Sequence, residues 1–222
     1  MRQRVELRRD AAADFTKSFD RADKFIAALR LAEITRLTPG DHVIATRPPA
    51  FSLPGTQVKA IRIGRRAVPA VSTGLPQELG DRTAPVQAMF ANLDNNHDTT
   101  LAFAVRRFND ADERVRDEDV VFDCFSALEA LFAGGSTTEL TYRLSLRAAK
   151  VLRATTEERI ELFKRIKNLY GTRSKVVHGG RVPKDRLAAD AAEAMALLRA
   201  AITAWLDAGG YDGGQLDELL LE

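Results

Sequence analysis

The 222 residues are 45% hydrophobic and 29% charged, with one cysteine, Cys124; that supplies one sizeable core and excludes wholesale disorder, an internal disulfide and a cysteine-based zinc cluster. The longest apolar runs fall short of the roughly 18 residues of a membrane span, and the opening MRQRVELRRD holds no apolar block of signal-peptide type, so a cytoplasmic protein with no membrane contact is expected. The net charge of +2 hides an asymmetry: Leu140 to Arg186 holds 13 Lys or Arg against four acids, a net +9, while Leu187 to Glu222 holds one Arg against seven acids, a net −6.

Along the chain, Asp10 to Arg36 has helical periodicity through Phe15, Phe19, Ala22, Phe25, Ile26, Leu29 and Ile34, stopped by Pro39–Gly40. This predicts an N-terminal helical part over 1–38, as one long helix or two. Seven of the eight prolines lie between Pro39 and Pro85, and short β-branched runs at His42–Thr46 and Val58–Ile63 suggest strands or extended loop, so 39–98 reads as an irregular, partly extended insertion. Asp94, Asn96 and Asp98 imitate the first ligands of a calcium loop, but Thr99 stands where glycine is required and Val105 where the terminal glutamate belongs. A polar turn is the expectation there.

Leu101 to Phe132 reads as one long helix with Val121, Phe125, Leu128 and Phe132 on a shared face, ended by Gly134–Gly135. Ser136 with Glu139 and Thr155 with Glu158 have capping-box spacing, which starts helices near Thr137 and Thr156. Pro183 fits the first turn of a last long helix reaching about Asp207, where Gly209–Gly210 stops it and an acidic tail, 209–222, begins. Four helices with short connections over 99–208 form an antiparallel bundle. The expected fold is thus a single all-α domain, an antiparallel helical bundle interrupted by the insertion.

One position breaks the pattern. Phe163, Ile166, Tyr170, Arg173 and Val177 follow at alternating steps of three and four, which sets Arg173 into an apolar stripe. A guanidinium withdrawn from water costs several kcal/mol unless paired. Five residues on, His178 precedes Gly179 and Gly180. The macrodipole at a helix C-terminus favours a positive charge, which suits such an imidazole to proton transfer near neutral pH. Arg173 can bind a phosphate in bidentate fashion and stabilise transition-state charge. On an ideal helix the two point roughly 140° apart, so they converge only if the helix ends at His178 or a second subunit completes the site. Glu129, on the 122, 125, 129, 132 face of its helix, is either the buried partner that orients Arg173 or a boundary residue facing water. Tyr170, one turn before Ser174, either presents its hydroxyl to the cleft or packs its ring in the core.

RRF at Arg106–Phe108, LEALF at Leu128–Phe132, TYRLSLRAA at Thr141–Ala149 and YGTRSKVVHGG at Tyr170–Gly180 together resemble the HEPN superfamily and, within it, the ApeA-like HEPN group. The signature of that superfamily is an arginine, four to six residues and a histidine, supplied here by Arg173 and His178. Arg36 and His42 have a similar interval, but Pro39–Gly40 between them takes His42 out of any helix. The resemblance implies a homodimer whose two motifs face a shared cleft, RNA as partner, and metal-independent endoribonuclease activity with no cofactor and no metal. Related proteins occur as toxins and phage-defence effectors. Ser174, where active members often carry Asn, Asp or His, is a weaker polar helper. The histidine-x-tyrosine extension of members paired with a nucleotidyltransferase is absent, since Gly179 and Gly180 follow His178. The alternative is a non-catalytic module of this type that binds RNA, a nucleotide or a regulatory partner protein.

Overall fold

The structure is a computed structural model in which residues 20–32, 42–43, 62–63, 79–133 and 139–221 are described. It is an all-α bundle. Helix α1 covers residues 20–31. Strands β1 (His42–Val43) and β2 (Arg62–Ile63) form a two-residue antiparallel pair with His42 opposite Ile63. Then follow α2 (Leu79–Asn95), α3 (Thr99–Asp112), α4 (Asp117–Phe132), α5 (Leu140–Leu152), α6 (Thr156–Val177), α7 (Lys184–Asp207) and α8 (Gly213–Glu218). No helix among the described residues is long and apolar enough to cross a membrane.

Helix α4 occupies the centre, touching α3, α5, α6 and α7. Its sequence explains the position: Val121, Cys124, Phe125, Leu128, Leu131 and Phe132 recur at steps of three and four and are all buried, and with Asp123 and Ala127 buried beside them the covered face takes in about half of the helix circumference. Trp205 of α7 meets Phe132 edge-to-face at 5.8 Å, and its indole N–H donates to Asp98 at 2.9 Å. Asp98 also caps α3 by accepting from the Thr100 amide at 2.8 Å, while Asn96 accepts from the Asp98 amide. The calcium-like tripeptide is therefore a turn and a helix cap, as the missing glycine and glutamate indicate.

Two long-range expectations give way. Leu101–Phe132 is two helices, reversed at Glu113–Arg116. No Gly or Pro marks the reversal, because its cause is tertiary: the carboxylate of Asp123, buried in α4, accepts from Arg107 at 3.0 Å and Arg114 at 2.7 Å, tying the end of α3 and the turn back onto α4. Asp117, Glu118 and Asp119 in the first turn of α4 suit its positive dipole end. The irregular insertion 39–98 likewise contains the helix α2. Proline density hides it, yet only Pro85 falls inside, and Val86, Met89, Phe90 and Leu93 after it form a helical apolar face against the core.

The helix ends follow the local rules more closely. The Thr155–Glu158 capping box starts α6 with both of its arms present. Pro183 precedes α7, which ends at Asp207 before Gly209 and Gly210, both with positive φ. Helix α5 starts at Leu140 rather than near Thr137, because Glu139 adopts left-handed φ (53°) and cannot continue a helix backwards; Ser136 lies outside the described residues. The acidic tail carries α8, started by a capping box of Asp212 and Gln215. Of the predicted N-terminal helix, 20–31 is helical and 1–19 and 33–38 lie outside the described residues, as does Gly134–Gly135.

Candidate functional site

Helix α6 presents three flanks. Leu162, Ile166, Leu169 and Thr172 form its buried side, with Phe163 and Tyr170 at the margin. This shifts the stripe read from sequence: Val177 is 45% exposed, and Arg173 lies at the boundary with 20% of its side chain exposed. The seam runs through Leu162 and Leu169, which the five-residue count passed over.

At that boundary α4 supplies the partners of Arg173. The guanidinium Nη2 lies 3.2 Å from Oε1 of Glu129, and the Tyr170 hydroxyl donates to the same oxygen at 3.0 Å. One carboxylate thus holds both side chains. The guanidinium carbon lies 5.4 Å from the Tyr170 ring centroid and 5.9 Å from that of Phe122, while Phe125 meets Tyr170 edge-to-face at 5.5 Å. The Nε of Arg173 is buried without a hydrogen-bond partner. Burial first, then the charge of Glu129 and the hydrogen bond to it, raise the Tyr170 pKa against the opposing influence of Arg173 and Thr141; the phenol stays protonated at neutral pH and acts as donor.

His178 is the C-cap of α6. Its amide still donates to the Ser174 carbonyl at 3.1 Å, and the chain leaves the helix only afterwards: Gly180 N–H donates to Lys175 O at 2.7 Å and Gly179 N–H to Val176 O at 3.2 Å. These two bonds are a Schellman closure, with Gly179 in the left-handed conformation it requires (φ 72°). Because the His178 amide keeps its helical bond even though the residue itself caps the helix, its side chain leaves the backbone near the ideal-helix direction, about 140° from that of Arg173. Arg173 faces α4, and exposed His178 opens onto another flank, with half-buried Ser174 on the His178 side. The structure therefore joins Arg173, Tyr170 and Glu129, and leaves His178 apart from them.

The ring of Phe122 beside the guanidinium was not singled out in the sequence, although it shares the helix face of Glu129. More telling, the arginines buried most deeply are Arg30 and Arg147, at 3% and 2% exposure. Arg30 ties α1 to the end of α3 through Asp112, Glu113 and Asn109. Arg147 donates to the Phe132 carbonyl at the end of α4 and to Asp217 of α8. Both are fastenings between helices. Comparison of the chain with protein-family models, curated proteins and solved structures gives no match.

Proposed function

We propose that the chain is a metal-independent endoribonuclease of the HEPN type that works as a homodimer, with a role as a toxin or phage-defence effector. In this reading the 2′-hydroxyl of RNA attacks the adjacent phosphorus as its proton is withdrawn. The bond to the 5′-oxygen breaks, that oxygen takes up a proton, and a 2′,3′-cyclic phosphate remains. Arg173 binds the phosphate and offsets charge developing on its oxygens, His178 transfers protons, and Ser174 assists. Glu129 and Tyr170 hold Arg173.

The carrying observation is the arginine itself: a partly buried guanidinium held by Glu129 beside two aromatic rings, five residues before an exposed histidine at a Schellman-closed helix end. The divergence of the two side chains fits a cleft that takes Arg173 and His178 from two chains. The ion pair to Glu129 also favours a second reading, a non-catalytic module in which Arg173 is an interface anchor and RNA, a nucleotide or a partner protein is bound without cleavage.

The test is incubation of purified protein with mixed RNA in EDTA, beside His178→Ala and Arg173→Ala. Cleavage that survives EDTA and falls roughly 10²-fold or more in each variant supports the nuclease. Undiminished cleavage by His178→Ala, or wild-type protein that binds RNA without cutting it, selects the second reading.

A further inference from the structure

A second feature, between α5 and α6, presents an aromatic ring to solvent. Tyr142, in the first turn of α5, is 50% exposed, and its hydroxyl makes no hydrogen bond among the described residues. Its ring is held edge-to-face at 5.6 Å by Phe163 of α6, which is itself packed against the core. The ammonium of Lys167, one turn further along α6, lies 5.3 Å over the Phe163 ring. An exposed aromatic face is thus fixed in place by an anchored ring, with a cation at its side.

Phe163, Lys167, Ser174 and His178 fall within about 60° of one another around an ideal helix, at 3.6 residues per turn. They form a stripe running from the aromatic pair to the histidine. From Lys167 to His178 the stripe extends about 16 Å at 1.5 Å per residue, room for a short run of nucleotides near the roughly four that the smallest single-strand sites hold. The open side of α6 also carries Lys164 and Lys175, both exposed, which with Lys167 form no ion pair among the described residues. They belong to the Leu140–Arg186 segment of net charge +9.

We infer that Tyr142, Phe163 and Lys167 form a stacking platform for single-stranded RNA, which lies along α6 toward His178. The inference rests on the nuclease reading for what happens at His178 and stands on its own for what is bound. A base stacks on the free face of Tyr142, and Lys167 meets a neighbouring phosphate. Duplex RNA keeps its bases stacked within the helix and offers none to such a platform.

The experiment is fluorescence anisotropy of the full chain with a labelled 2′-O-methyl oligoribonucleotide of about twelve residues, which lacks the attacking hydroxyl. Single-stranded and duplex forms are compared. The wild type is expected to prefer the single strand. Tyr142→Ala is expected to raise its Kd about tenfold, with Tyr142→Phe near wild type, and Lys167→Gln to lower the slope of log K against log salt by about one. Tyr142 is half exposed, so the alanine variant keeps its fold, verified by an unchanged thermal melt. Equal binding by wild type and Tyr142→Ala, or a duplex bound as well as the single strand, overturns the platform; EDTA-resistant cleavage lost in His178→Ala would then leave the nuclease standing. A wild type that binds neither form while capturing a protein partner overturns both.

Discussion

Glu129 is the residue on which the candidate site turns, since one of its oxygens takes both Tyr170 and Arg173. Glu129→Ala leaves a partly buried guanidinium with ring contacts only, and is expected to lower stability by about 1–3 kcal/mol, read as a lower urea midpoint at unchanged m. Replacing Arg173 by Met in the same chain should recover part of that loss, because the orphaned charge goes too. An unchanged midpoint in Glu129→Ala would mean that the pair does nothing for the fold. Cys124 gives a pH test. It is fully buried, and burial, with a smaller push from Asp123, raises its pKa far above the ordinary thiol range. A raised folded-state pKa contributes stability that is complete below the unfolded value, about 8.5, and is lost as pH climbs above it. Relative to Cys124→Ala, the wild type should therefore lose up to about 1.4 kcal/mol of stability per pH unit above that point. Parallel pH profiles for the two proteins would contradict the burial.

At the scale of elements, Gly179 closes α6 with φ 72°. Gly179→Ala is expected to cost about 1 kcal/mol, because an L side chain is strained there although no neighbour blocks it, and Gly179→Asn to cost less. Chemical denaturation checks both, and equal stability of all three proteins would rule out the left-handed closure. This ending was legible in the sequence, as were the Thr155–Glu158 start and the span of α7, because caps act over a few residues. The break at Glu113–Arg116 was not legible, since it depends on Asp123 meeting Arg107 and Arg114 across a hairpin. Nor was the register of α6: counting Phe163, Ile166, Tyr170 and Val177 selects a face about 100° from the one that Leu162, Leu169 and Thr172 bury, and only the neighbouring helices decide between them. The proximity of Glu129 to Arg173 was anticipated as one of two readings of Glu129. Phe122 beside the guanidinium was not, because an exposed phenylalanine on a helix carries no signal of what stands next to it.

For the molecule as a whole, the proposed cleft requires an isologous partner. Light scattering at micromolar concentration is expected to give about twice the chain mass of 24.5 kDa. A monomer would remove the composite site and leave the bundle untouched. A different consequence follows from how α6 and α7 are fastened. Asp190 accepts from Thr172 at 2.6 Å and pairs with Arg186 at 3.6 Å, while Glu193 holds Arg165 at 2.6 Å. Glu193 therefore neutralises Arg165 on the flank of α6 that faces α7, whereas exposed Lys164, Lys167 and Lys175 form no ion pair among the described residues. That leaves the positive charge of α6 concentrated on its lysine side. A polyanion drifting near it meets a torque before it meets a surface, so collisions are turned toward the lysine flank. Raising the ionic strength shortens the reach of that torque and slows arrival, while departure is governed by whatever close contacts have formed.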